Sequence, residues 1–428
     1  MTEIRILIPI HMMPNTTNIN TIFFQNLSHY MKTKSKIHLI WFVYMPEKDF
    51  TTNYQINDES VIDIHDYDNA YDVLKKEKPD LIYASPDWGF IDYAFSSAAK
   101  YCKIPVFFLT PNIDTKFFKR KTIGNKLMGF RRFFENSVPT DTNINQKQFF
   151  RRGRFFINKY LFLIKTQFKL KSDIFLTLFG IWKHVLIGVT DGRFGSDIIQ
   201  FLENEQMKQY MVERGFKKSN LFVSGNPIYD SFFKLNLNNK SNQKNFTRIL
   251  FAPSTAYEHG LWTIQQRDFT IKQIVKQISE KDNLKLIIKI HPSSSKLDDY
   301  SPIVNQIDNK IPVYQKGGIN EYLQDIDVII TSPFSSSAET YALLAQKRIV
   351  ICDFFKQDDH MDQLIEHKVA VSCKDPSMLI DSIENALILK SYEENRENFI
   401  KKFLYKWDGN SSKRIVDKLL DILEKNKL

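Results

Sequence analysis

The chain has 428 residues, with 43% hydrophobic and 25% charged residues, the mix of a globular protein with sizeable cores and not of a disordered one. Its three cysteines, Cys102, Cys352 and Cys373, form no C-x-x-C pair, which argues against a disulfide framework and a zinc ribbon and suits a reducing cytoplasm. The net charge of +10 is uneven: from Lys116 to Lys183 there are 16 lysines and arginines against 3 acids, together with 13 of the 35 phenylalanines. From Met1 the chain enters an apolar run at once, so no signal peptide is expected. The most apolar stretch, Ile174 to Thr190, is broken by Lys183 and His184, so no spanning helix is expected either.

In chain order, the first half alternates apolar runs with amphipathic stretches. The runs Ile4–Ile10, Ile37–Tyr44, Leu81–Ala84 and Val106–Leu109 read as strands, and Ile22–Met31, Ala70–Glu77 and Ile91–Tyr101 as helices. This spacing predicts parallel βαβ units, with continuous apolar strands buried on both faces. Val185–Thr190 and Leu221–Val223 read as the last strands of this half, with a helix over Ser196–Arg214 between them. Gly225-Asn226-Pro227 marks a sharp turn, and the polar, Asn-rich stretch from Leu235 to Asn245 marks a linker. After it the alternation restarts, with strands at Arg248–Phe251, Leu284–Ile290, Val328–Ile330 and Arg348–Cys352. Helices are expected over Phe269–Glu280, Ser336–Ala345, Met361–His367 and Pro376–Leu389. The fold class is therefore α/β, with two Rossmann-like domains. The expected boundaries are 1–234, carrying a basic aromatic insertion at 116–183, and 247–428.

Three strand ends in the second half carry the polar chemistry. Arg248–Phe251 leads into Ser254 and Thr255. Leu284–Ile290 leads into His291 and Pro292. Val328–Ile330 leads to Ser335, Ser336, Ser337 and Glu339. Parallel sheets bind ligands at the carboxyl ends of their strands, and serine hydroxyls at a helix N-terminus suit a phosphate. These eight residues are the expected donor-nucleotide site, with Glu339 for the ribose hydroxyls. Taken one at a time, the serines could equally be helix caps and loop filler. No G-x-G-x-x-G and no Walker motif is present.

These motifs resemble the GT-B glycosyltransferase superfamily, in which two Rossmann-like domains face a central cleft. Within it the likeness is to bacterial and archaeal surface-polysaccharide transferases: sialyl- and polysialyltransferases, capsule Kdo transferases and CDP-glycerol glycerophosphotransferases. His291-Pro292 and Ser335-Ser336 are similar to the His-Pro and Ser-Ser motifs that hold CMP in bacterial sialyltransferases. The stretch from Val223 to Asp230 resembles the turn that ends the first domain in these proteins and in UDP-N-acetylglucosamine 2-epimerases, and Asp327 to Glu339 resembles the epimerase-type donor motif. The epimerase-like His-Arg-x-Glu-Asn run is replaced by Ser254 to His259. The resemblance implies a transferase that takes a sugar or polyol phosphate from a CMP-, CDP- or UDP-activated donor and adds it to a glycan or lipid-linked acceptor. The alternatives are an epimerase-like enzyme or a non-catalytic nucleotide-sugar-binding protein.

An inverting transfer needs a base for the acceptor hydroxyl. Asp87, in Ser85-Pro86-Asp87-Trp88-Gly89, is placed ahead of His11, which follows the first strand; Asp191 is a weaker third choice. Either of the first two could instead be a turn residue or helix cap. No cofactor and no metal are expected. In the basic segment Phe156, Ile157, Tyr160, Leu161, Ile164 and Phe168 recur at helical spacing, with Phe155, Arg151, Arg152, Arg154 and Lys159 among them. Aromatics on one side and cations on the other suit an anionic membrane surface. A solvated basic face over a Phe-rich core is the plainer reading. Nucleic acid is not expected, since no RNA-binding motif accompanies the charge. The expected location is thus the cytoplasm, peripheral at the inner face of the membrane.

Overall fold

The structure, a computed structural model, describes residues 3–11, 13–14, 19–45, 59–84, 89–110, 144–171, 197–235, 246–258, 261–292, 295–333, 336–356 and 362–427. Two compact units emerge, Met1–Ile228 with Asn410–Leu428, and Tyr229–Gly409.

The first unit runs β1 (Glu3–Ile10), α1 (Ile19–Met31), β2 (Lys36–Val43), β3 (Glu59–Asp63), α2 (Ala70–Glu77), β4 (Leu81–Tyr83), α3 (Phe90–Cys102), β5 (Val106–Thr110), α4 (Ile144–Lys169), β6 (Ile199–Leu202), α5 (Glu205–Glu213) and β7 (Leu221–Val223). Its strands pair in the order β3-β2-β1-β4-β5-β6-β7, all parallel. β1 and β2 are long apolar runs with five consecutive buried residues each, as a sheet covered on both faces requires.

The basic helix α4 is built into this unit. Phe162 and Leu163 lie in its core beside Phe42, Phe95 and Ala98. Burial of such side chains contributes on the order of 1.5–3 kcal/mol each. Thr166 Oγ accepts from the Ala70 N–H at 3.0 Å, so α4 also caps the start of α2. The helix therefore turns Phe162, Leu163, Thr166 and Gln167 inward.

One stretch differs from the sequence reading. Ser196–Arg214 is not one helix: Ile199–Leu202 is strand β6, and the helix begins only after Asn204, whose side chain accepts from Met207 N–H at 2.8 Å. Ile199 and Phe201 supply the β-branched and aromatic character that a short buried strand favours. Val185–Thr190 lies outside the described residues.

The second unit runs α6 (Asp230–Leu235), β8 (Thr247–Ala252), α7 (Ile264–Ser279), β9 (Leu284–Lys289), α8 (Leu297–Asn305), β10 (Val313–Tyr314), α9 (Asn320–Leu323), β11 (Val328–Thr331), α10 (Ser336–Leu344), β12 (Arg348–Cys352), α11 (Asp362–Glu366), β13 (Val371–Cys373), α12 (Leu379–Leu387) and α13 (Tyr392–Phe403). The sheet order is β10-β9-β8-β11-β12-β13, again all parallel. Alternate residues feed two cores. Ile249, Phe251, Val328 and Ile330 pack on one face, and Leu250, Ala252, Ile329 and Ile351 on the other. A capping box of Thr263 and Gln266 starts α7.

The last helix, α14 (Ser411–Lys427), belongs to the first unit, whereas the sequence boundaries put it in 247–428. Its buried stripe of Ile415, Val416, Leu419 and Leu423 packs there, and it contacts α1. Arg414 Nε donates to Ser224 O at 2.8 Å, fixing the turn after β7. Gly225 in that turn has φ +76°, and a Cβ there would lie 2.7 Å from Ser411 Oγ, so only glycine fits without a shift.

Candidate functional site

In both sheets the strand order reverses beside the first strand of the unit, between β2 and β4 around β1 and between β9 and β11 around β8. Ligands in open α/β sheets bind at the carboxyl ends of strands next to such a switch point.

In the second unit the polar residues foreseen from sequence converge on this edge. Ser254 follows β8 and is buried, and its N–H donates to Ser332 Oγ at 2.8 Å, joining the ends of β8 and β11 across the switch point. Thr255 beside it is half-buried. His291, just past β9, is exposed, and Pro292 is half-buried. Ser336 opens α10 at the end of β11, Ser337 is exposed and Glu339 is fully buried in the first turn. Ser335 lies outside the described residues, as does the side chain of Ser336. α10 begins at this edge, and the first turn of a helix is a place where backbone N–H groups can take a phosphate.

The loop carrying His291 is held by residues the sequence reading did not single out. Glu258 Oε1 accepts from Tyr300 OH at 2.8 Å and from Ser295 Oγ. Gln315 Nε2 donates to Ser295 O at 2.7 Å and to Pro292 O at 3.3 Å. Burial, then the Glu258 charge, pushes the Tyr300 hydroxyl up, so it stays a proton donor to that carboxylate. The Arg267 guanidinium lies 4.3 Å from the centroid of the Tyr257 ring and closes the same wall. Lys289 Nζ is buried against two carbonyls, Ile290 O at 2.8 Å and Gln315 O at 2.9 Å. Burial pulls its pKa down to about 8, with Glu321 offsetting part of the effect. Apart from the Lys289–Ile290 bond, these contacts are non-local, spanning up to 42 residues, and no short motif announces them.

In the first unit His11 follows β1, with its ring centroid 6.4 Å from that of Tyr44 at the end of β2. The Lys159 charge of α4 reaches it, and Asp92 in the first turn of α3 acts in turn on Lys159 and Tyr44. The side chain of His11 is exposed, yet the surrounding protein withdraws water from it. That desolvation, and secondarily the Lys159 charge, lowers its pKa below 6.5. His11 is therefore neutral near pH 7, the form that can accept a proton. Burial likewise lowers the Lys159 pKa, and Asp92 partly restores it. Burial and then Asp92 raise the hydroxyl of Tyr44.

Lys159, expected at a membrane surface, is instead half-buried in this group, because α4 packs on α3 and brings Tyr160 to 5.5 Å from Phe90. Arg151, Arg152, Arg154, Phe155 and Phe156 lie within α4, but their side chains are outside the described residues, as is all of Asp87. Asp191 is outside them too. Among the described residues no cluster of three or more His, Cys, Asp or Glu is arranged to hold a metal ion, and no helix is long and apolar enough to cross a membrane.

No curated protein matches the chain. Solved structures match it over nearly its whole length. One is the UDP-GlcNAc 2-epimerase of Methanocaldococcus jannaschii, at 17% identity and TM-score 0.56, covering 98% of this chain and 99% of that one. Another is the UDP-GlcNAc 2-epimerase of Neisseria meningitidis bound to UDP-GlcNAc, at 13% and 0.53, covering 98% and 100%. A third is a spinosyn forosaminyltransferase, at 9% and 0.51, covering 98% and 99%. At these identities the likeness establishes the fold, GT-B, and nothing finer. The epimerases fit the alternative reading no better than the transferase one. Residues 201–421, more than half of the chain, match the family model of CDP-glycerol:poly(glycerophosphate) glycerophosphotransferase. The chain thus belongs to the CDP-glycerol:poly(glycerophosphate) glycerophosphotransferase family, and it is a transferase of GT-B fold that uses a nucleotide-activated donor.

Proposed function

We propose that this transferase moves a polyol phosphate from a CDP-activated donor to a hydroxyl of a polyol-phosphate or glycan acceptor, at the inner membrane face, in building a cell-envelope polymer. The observation that carries the reading is the polar carboxyl edge of β8, β9 and β11, with β8 and β11 joined through Ser254 and Ser332, followed by the start of α10. It offers His291, the serines and backbone N–H groups to a diphosphate. Ser254, Thr255 and Pro292 shape the nucleotide seat, and Glu339 lies behind the serines in α10. In the transfer the acceptor oxygen forms a bond to the donor's distal phosphorus while the bond from that phosphorus to the bridging oxygen breaks, and CMP leaves. The acceptor proton goes to His11 or, in the rival assignment, to Asp87.

A thermal-shift panel of CMP, CDP, UDP and GDP, followed by CMP release from CDP-glycerol with and without acceptor, tests this. A ligand that binds only the folded state at a hundred times its Kd stabilises by about 2.7 kcal/mol. Cytidine nucleotides should give the largest rise in Tm. A rise with UDP alone, and 2-epimerisation of UDP-GlcNAc without acceptor, would instead make the chain an epimerase.

Membrane association is part of the same reading. On α4 the side chains of Ile157, Leu161 and Phe168 are 54%, 47% and 64% exposed, while the opposite face is buried. This supports an apolar stripe free to enter a bilayer interface, with the arginines one to two turns before it. Reversing Arg151, Arg152 and Arg154 to Glu should release the protein from anionic vesicles at low salt, since each basic residue near such a surface contributes about 1 kcal/mol. Nucleotide binding should be unchanged. Wild-type protein that ignores anionic vesicles would remove the membrane assignment.

A further inference from the structure

The second unit holds a pocket away from the nucleotide edge. Its cavity of about 510 Å³ is lined by residues of α6, α13 and the segment after α13. Gln346, two residues before β12 begins, stands on its wall. The start of a parallel strand marks the amino-terminal edge of the sheet, whereas Ser254, His291 and the start of α10 lie at the carboxyl edge. The pocket is therefore separate from the donor site.

Its walls are apolar and aromatic. Phe233 and Trp407 meet edge to face with centroids 5.9 Å apart, and Tyr405 and Ile400 extend the surface. Gly409 packs on Phe233 so closely that a Cβ there would lie 2.9 Å from the ring. The rim is basic: Lys401 and Lys406 are exposed at the opening, and a single acid, Glu397, lines the pocket. Arg396 is buried beneath, bonded to the last carbonyls of α10, Leu343 O at 2.6 Å and Leu344 O at 3.0 Å, so it fixes α13, and the exposed charges at the opening are two lysines against one acid.

Aromatic faces take the C–H groups of polyols and sugars, and the lysines take phosphate. The volume is that of a small-molecule site. We propose that this pocket binds a phosphodiester-linked polyol segment of the acceptor or product chain, anchoring it away from the reacting end. The proposal rests on reading the acceptor as a polyol phosphate. Holding a chain at a second point raises the effective concentration of its end at the reaction site, so polymer length should depend on the pocket while single additions do not.

A defined phosphodiester-linked glycerol hexamer, free of lipid, is the probe. Its binding is followed by tryptophan fluorescence in the full-length wild type, in Trp407→Phe, and by calorimetry in Lys401→Glu/Lys406→Glu. The expected result is a fluorescence change that Trp407→Phe abolishes and a Kd raised at least tenfold by the double reversal. The variant's Tm should stay within a few degrees, as both lysines are exposed. Its CMP release on a single-unit acceptor should match wild type, and its products on long acceptors should be shorter. Equal Kd in the wild type and the double variant, or a fluorescence change that survives Trp407→Phe, overturns the pocket. Failure of the transferase reading looks different: no CMP release from CDP-glycerol by wild-type protein, whatever the hexamer does.

Discussion

Replacing His11 by Ala should lower kcat by roughly 10² to 10⁴-fold and leave nucleotide affinity close to wild type. His11 follows β1, the strand at the switch point of the first unit, where a ligand is expected. A general base must be unprotonated when it meets its substrate. Desolvation and the Lys159 charge both disfavour the imidazolium, so His11 favours the neutral imidazole, whose unprotonated ring nitrogen can accept a proton. The sign of the pH dependence follows. The rate should be flat near neutrality and fall as pH drops through a pKa lying below 6.5. Lys159→Met removes one of the two causes, so the acidic limb should move upward, toward 6.5. A base unrelated to His11 would leave that limb where it was. Asp87→Asn is the matched control. If Asp87→Asn abolishes turnover while His11→Ala keeps it, Asp87 is the base and the limb has another origin.

The alternation of apolar runs and amphipathic stretches made the two sheets legible, because a parallel strand buried on both faces is apolar throughout. β1, β2 and β8 each carry a continuous apolar run, and β9 carries one between Lys285 and Lys289. What stayed hidden has physical causes. β6 has four residues and runs into a helix, so its pattern blends with a helical one. α14 is an ordinary amphipathic helix, and nothing in an apolar stripe says which of two cores it joins. In α4 two apolar faces coexist. The stripe of Ile157, Leu161 and Phe168 was visible by spacing, but Phe162 and Leu163 are the residues that dock. The candidate donor residues were legible because small hydroxyl groups directly after apolar strands are conspicuous. Their support was not, since Glu258, Ser295, Tyr300 and Gln315 meet only through the fold. The links from His11 to Tyr44 and Lys159, and from these to Asp92, likewise join segments distant in sequence.

His291→Ala and Ser336→Ala should each weaken nucleotide binding by roughly ten- to a hundredfold. A hydrogen bond to a charged group contributes on the order of 1.5–3 kcal/mol, and each 1.4 kcal/mol is about tenfold in Kd. Neither change should unfold the protein. His291 is exposed and stands outside β9, and Ser336 is at the first position of α10, where the loss of a cap contributes about 1 kcal/mol at most sites. The two substitutions separate the sources of phosphate affinity. If the α10 backbone supplies most of it, Ser336→Ala will be the milder of the two, because the N–H groups remain. His291 has no such backup, so its loss should be felt most by the diphosphate and least by the bare nucleoside. Calorimetry with cytidine, CMP and CDP resolves this: affinity for cytidine should be equal in the wild type and His291→Ala, and the gap should open with each phosphate. Unchanged CDP affinity in both variants would remove the donor site from this edge of the sheet.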